Sequence, residues 1–129
     1  MIEKFLLVGS GGFIGAIVRY LASGLIHRWI DRPFFPLGTL FVNISACFII
    51  GIIGGLMEYR QLFHPELRLF LLIGFLGSYS TFSTFGFEVF TFARDGQILS
   101  ALLNTGLHLF LGLTAVWLGV LVSKLIWGA

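Results

Sequence analysis

The chain has 129 residues, of which 57% are hydrophobic and only 11% charged, with a mean hydropathy of +0.99. An average soluble domain carries roughly 25% charged residues, so this composition excludes a soluble globular protein and calls for a membrane protein. The net charge of +2 comes from scattered basic residues, which offers no nucleic-acid surface, and the single Cys47 allows no internal disulfide and reads as a small packing residue.

About 20 helical residues cross ~30 Å of hydrocarbon. Four stretches qualify, about 4–27, 37–58, 66–93 and 97–126, making a single four-span domain over residues 1–129. The short connections carry turn and cap residues: Asp31-Arg32-Pro33 with Pro36, His64-Pro65-Glu66, and Asp95-Gly96. No small-residue cleavage pattern follows the apolar N-terminus, so the first stretch reads as a retained span.

In the first span Gly11, Gly15, Arg19 and Ser23 fall four apart on one stripe. Small residues there let another helix come close. Arg19 lies past the middle of the span, where it either snorkels to the interface or lines a wet vestibule that attracts anions. The second span carries a comparable stripe of Thr39, Asn43, Cys47, Gly51 and Gly55. An amide facing lipid would be unsatisfied, so Asn43 faces protein or water, either as a bond between helices or on an ion path.

The third span has the hydrophobicity of a membrane helix and the wrong local chemistry for a continuous one. After the apolar run that ends at Leu76, Gly77, Ser78, Tyr79, Ser80 and Thr81 place four hydroxyls and a glycine at membrane depth, followed by Phe82-Ser83-Thr84-Phe85 and then Glu88. A break at 77–81 is tolerated in a membrane only where protein or a wet cavity meets the freed backbone groups. The fourth span aligns Asn104, His108 and Gly112 four apart as a polar row; no paired His/Cys spacing accompanies His108, so a metal-ligand role is not expected.

Basic residues near the span ends are balanced. Lys4, Arg60, Arg68 and Lys124 fall on one side, and Arg28, Arg32 and Arg94, with or without Arg19, on the other. The positive-inside rule then sets almost no orientation, so the chain is expected to insert both ways up. Four spans cannot enclose a pore, and two copies of opposite orientation would make the unfused equivalent of an inverted repeat, with the site at the midplane where the broken spans meet. Carbonyls freed at the break suit a monovalent hard cation such as Na⁺, because no carboxylate is near. Phe82 and Phe85, three apart, share a face; they are either packing or a pair whose positive ring edges attract a small dehydrated anion. Ser83, Thr84, Asn43 and Thr39 add neutral donors, which replace hydration without trapping the ion.

The motifs GxxGAxxRY at Gly12, Gly15, Ala16, Arg19 and Tyr20, GTLxVN at residues 38–43, and GxxGSxSTFSTF at residues 74–85 resemble the Fluc (CrcB-type) fluoride channels, and the resemblance covers the whole chain. It implies an all-α integral membrane protein of the bacterial inner membrane, four transmembrane helices per subunit with the third broken near the bilayer centre, forming an antiparallel dual-topology homodimer. It further implies passive fluoride export, a structural Na⁺ at the dimer centre on main-chain oxygens matching Gly77 and Ser80, an aromatic box matching Phe82 and Phe85, and a polar contact matching Asn43. Ser83 and Thr84 lie in the same motif, and by the same resemblance Glu88, Arg19, Asn104 and His108 would belong to the route toward the vestibules. The chain departs from the family pattern at Ser80, where threonine is expected, at His108, where serine is, and at Asn104, where tyrosine often is. The alternative is a small multidrug-type proton-coupled antiporter, for which Glu88 is the one deep acid. An intramembrane enzyme would need His27, His64 and His108 to converge from a span end, a loop and a span middle.

Overall fold

The computed structural model describes residues 1–31, 35–60 and 63–128; Arg32, Pro33 and the side chain of Arg60 lie outside the described residues. Among the described residues all regular structure is helical. Helices α1 (Ile2–Trp29) and α2 (Leu37–Arg60) are continuous, the third span divides into α3 (residues 65–79) and α4 (Phe82–Arg94), and α5 (Ile98–Trp127) follows. With the divided span counted as one, four helical stretches among the described residues are long and apolar enough to cross a membrane.

The small-residue stripes set where these helices touch. A Cβ at Gly11 would strike the Phe70 carbonyl oxygen and one at Gly15 the Phe75 carbonyl oxygen, so α1 lies directly on the backbone of α3. From the other side, a Cβ at Gly74 would stand 2.8 Å from the Val8 carbonyl oxygen and 3.0 Å from the Gly11 Cα. The second stripe does the same between α2 and α5, where Gly51 and Gly55 face Val116, Gly119 and Ser123. Fully buried Ser123 donates to the Ile52 carbonyl at 2.6 Å. Lipid is as apolar as leucine, so close backbone approach and interhelical hydrogen bonds must hold such helices together. Cys47 Sγ lies 3.5 Å from where a Gly112 Cβ would be, a packing position.

The third span differs from a plain interrupted helix in two ways. Residues Leu69–Leu76 form a π-helix between the α turns Pro65–Arg68 and Gly77–Tyr79. Its carbonyls at Phe70 and Phe75 are those on which the α1 glycines rest. Wide π segments recur at functional sites, and nothing in the apolarity of LFLLIGFL marks one. The break is also shorter than the expected 77–81. Gly77–Tyr79 stay helical, and only Ser80 (φ −80°, ψ 156°) and Thr81 (φ −149°, ψ 112°) are extended.

Capping chemistry explains the sharpness. Ser80 closes the preceding turn by donating both N–H (3.0 Å) and Oγ–H (2.8 Å) to the Leu76 carbonyl. Thr81 opens the next helix by accepting the Thr84 N–H on its Oγ1 at 3.3 Å. The core of Val42, Ala46, Ile53, Leu76 and Tyr79 packs α2 against the end of α3, so the break is anchored beside the best-packed part of the chain.

Candidate functional site

The break is held by α2. Asn43 Nδ2 donates to the Thr81 carbonyl at 3.0 Å, and Asn43 Oδ1 accepts the Thr81 N–H at 2.8 Å. Two residues along α2, Ser45 Oγ pairs with the Tyr79 hydroxyl at 2.8 Å. Tyr79 is buried and its ring stacks on Phe75 with centroids 5.8 Å apart. The backbone groups of Thr81 are therefore met by protein at membrane depth. Ser45 and Tyr79 escape a reading by stripes; the available signal was Ser45 standing two residues after the amide, facing a tyrosine two residues before Thr81.

These bonds bear on two main-chain oxygens. In a continuous α-helix the Thr81 N–H would close onto the Gly77 carbonyl and the Thr84 N–H onto the Ser80 carbonyl. Here the first is spent on Asn43 Oδ1 and the second on Thr81 Oγ1. The two carbonyls named above as cation ligands are thus among the four, at residues 77–80, that the break deprives of their helical donors.

Two hollows flank the break and share Thr81. One, of about 550 Å³, is lined by Asn43, Gly77, Ser80, Phe82, Phe85 and His108, together with Cys47 and aliphatic side chains. Within it the Phe82 and Phe85 rings tilt at 59° with centroids 5.6 Å apart, and Phe85 lies 4.2 Å from the His108 ring. Phe82 is 81% exposed in the single chain. His108 Nε2 is 3.1 Å from Asn43 Nδ2, and its Nδ1 is 3.0 Å from the Asn104 carbonyl.

The other hollow, of about 510 Å³, is lined by Arg19, Ser23, His27, Arg28, Thr39 and Thr84. Its polar lining is basic and hydroxyl-bearing, and Arg19 lines it with no ion pair among the described residues. The structure thus separates residues that the sequence motif grouped. Thr84 points to this basic hollow, away from the phenylalanines, and Ser83 touches Thr81 Oγ1 at 3.4 Å on the exposed side.

Thr39 also departs from its expected place among donors beside the phenylalanines. It donates to Glu88 Oε1 at 2.6 Å, tying α2 to α4. Glu88 Oε2 and both polar atoms of fully buried Asn104 have no hydrogen-bond partner among the described residues. The polar row of α5 is therefore split: His108 reaches the aromatic hollow, Asn104 is enclosed near Glu88, and Gly112 packs on Cys47 and Ile44.

Comparison with known proteins agrees with this architecture. The family model described as CrcB-like protein, Camphor Resistance (CrcB), matches residues 6–120. The chain is 43% identical over 121 residues to the fluoride-specific ion channel FluC of Hydrogenovibrio crunogenus, covering 94% of this chain and 91% of that protein. It is 41% identical over 124 residues to the protein of that name from Nitratidesulfovibrio vulgaris, covering 96% of this chain and 99% of that one. A third, from Campylobacter jejuni, is 42% identical over 128 residues, with 96% and 100% covered. With a family match over nearly its whole length and four spans that include a divided third, this multi-pass membrane protein belongs to the CrcB-like family.

Proposed function

We propose that the chain is a passive fluoride-selective channel working as an antiparallel, dual-topology homodimer. The observation that carries the reading is the protein-clamped break at Ser80 and Thr81 with the Phe82 and Phe85 pair directly beside it. Relatives of high coverage that bear the name fluoride-specific channel support the choice of ion. The second copy is argued from charge and exposure: basic residues balance across the two sides, and the aromatic hollow lies open at Phe82 in the single chain.

A sodium ion suits the dimer centre. The carbonyls of Gly77 and Ser80 have lost their helical donors, no carboxylate lines that hollow, and two copies would double the set of neutral oxygens. Bound there, such an ion would supply a fixed positive charge and cross-link the two breaks. The chain's own residues do the rest. Arg19, His27 and Arg28 gather anions at the vestibule, Asn43 keeps the backbone open, and the edges of Phe82 and Phe85 receive an anion that has shed water.

No energy source is needed. HF crosses bilayers neutral and dissociates inside, and a membrane potential negative inside drives the anion out at ~2.3 kcal/mol per charge per 100 mV. Efflux from liposomes tests the reading: fluoride is expected to leave quickly and chloride not, and comparable chloride efflux refutes the selectivity. If Glu88→Gln abolished transport while Phe82→Ile left it intact, a proton-coupled antiporter would replace the channel.

A further inference from the structure

Asn43 has one acceptor and two donor hydrogens, and every one of them is committed. Thr81 presents an N–H and a carbonyl side by side, so the amide fits in one orientation only, with Oδ1 toward the N–H and Nδ2 toward the carbonyl. The second Nδ2 hydrogen then points at His108 Nε2, 3.1 Å away. Because Nδ2 can only donate, Nε2 must accept, and the ring proton sits on Nδ1, where it donates to the Asn104 carbonyl at 3.0 Å. The tautomer of His108 is thereby set from the Thr81 backbone, through Asn43, across three helices.

We infer that His108 is a positioning residue of the anion path: neutral and protonated on Nδ1, it braces Asn43 and keeps the aromatic hollow free of fixed charge, and a second proton turns the brace into an anion trap. The inference rests on the channel reading above. In imidazolium both ring nitrogens donate, so Nε2–H would face the Nδ2–H of Asn43. Asn43 cannot flip to relieve this, since flipping would set its oxygen against the Thr81 carbonyl and its NH₂ against the Thr81 N–H. The ring must then leave Asn43 or pull it from the break. A cation would also stand against Phe85, whose ring centroid is 4.2 Å away, and an anion beside a fixed cation is held instead of passed on.

Among the described residues, none offers the ring a compensating negative charge at contact distance. From α2 the titratable group in the hollow is Cys47, and from α3 Leu72, Leu76, Gly77 and Ser80 contribute none. The one acid of α4, Glu88, is bonded to Thr39, and on α5 itself the neighbours one turn away are Asn104 and Gly112.

Two measurements test this on the reconstituted full-length protein. Side-chain ¹⁵N NMR of the histidines, with His27→Gln and His64→Gln identifying the His108 signals by elimination, is expected to show Nδ1 protonated and Nε2 bare at neutral pH. The opposite tautomer, or a ring already doubly protonated, overturns the inference whether or not the protein conducts. Fluoride efflux, corrected for HF leak through protein-free liposomes, is expected to fall about threefold or more between about pH 7.5 and about pH 4.5, a range wide enough for an enclosed imidazole with no counter-charge beside it to gain its proton. His108→Gln, which can still accept from Asn43 but does not titrate, is expected to have a flat profile over that range whatever its rate. Wild-type flux that is unchanged or rises on acidification, or a His108→Gln profile as steep as wild type, refutes the brace. Absence of fluoride flux at every pH refutes the channel reading itself.

Discussion

Asn43 and Thr81 exchange a pair of hydrogen bonds, 3.0 Å from Nδ2 to the carbonyl and 2.8 Å from the N–H to Oδ1, so one side chain of α2 replaces the partners that the interrupted third span withholds from its own backbone. Asn43→Ala leaves the Thr81 N–H unpaired, at a cost of roughly 1–3 kcal/mol, and removes a donor from its carbonyl. A clear drop in the thermal unfolding midpoint in detergent is expected, together with loss of flux. Asn43→Asp keeps an acceptor for the N–H but turns a second oxygen toward the carbonyl, so it should not restore stability. Unfolding of Asn43→Ala at the wild-type temperature would show that the clamp holds nothing.

The glycines of α1 are predicted to separate by what lies opposite them. At Gly15 an added methyl meets the Phe75 backbone, which cannot swing aside, whereas at Gly9 it meets open space. Gly15→Ala should destabilise by about 1–3 kcal/mol through overpacking. Gly9→Ala should be neutral or stabilise by up to roughly 1 kcal/mol through helix propensity. Equal unfolding midpoints for the two variants would contradict the packing of α1 on α3.

Phe82 is 81% exposed in the single chain, so trimming it removes little that folds the subunit. Phe82→Ile should therefore elute from size exclusion at the wild-type volume while fluoride efflux falls to the protein-free leak. Efflux at the original rate would return the phenylalanine pair to plain packing.

Thr39 is 7% exposed and its hydroxyl is the described donor to Glu88. Thr39→Val is nearly the same shape and strands the carboxyl oxygen, at a cost of about 1–3 kcal/mol. Thr39→Ser should recover most of the loss in a thermal melt. A Thr39→Val protein as stable as wild type would mean that water replaces the hydroxyl there.

If two copies share a sodium ion through the carbonyls of Gly77 and Ser80, its removal should loosen the pair. Exchange of sodium for N-methylglucamine is expected to lower the unfolding midpoint and slow efflux, with recovery on adding sodium back. Identical melts in the two cations would remove sodium from the proposal.

Much of the architecture was legible in the residues because membrane spans are written in bulk hydrophobicity, and lipid leaves few alternatives to a helix. The glycine stripes were legible for a related reason: without a hydrophobic drive between helices, only small residues bring backbones together, and Gly11, Gly15, Gly51 and Gly55 duly lie at contacts. The hydroxyl cluster at residues 77–81 announced a break by the same logic. Its extent was not legible, since whether Gly77 and Ser78 remain helical depends on Ser80 capping one helix and Thr81 the next, and those bonds compete on equal local terms with longer unwinding. The π-helical Leu69–Leu76, which packs on the α1 glycines, was equally hidden, because a run of aliphatic and aromatic residues carries no mark of i→i+5 bonding. Tertiary structure alone also sorted the polar residues. Thr84 shares a hollow with Arg19, Thr39 bonds to Glu88 and Asn43 to His108; these relations across helices are fixed by the rotation of each helix about its axis, and no spacing along one chain encodes that rotation.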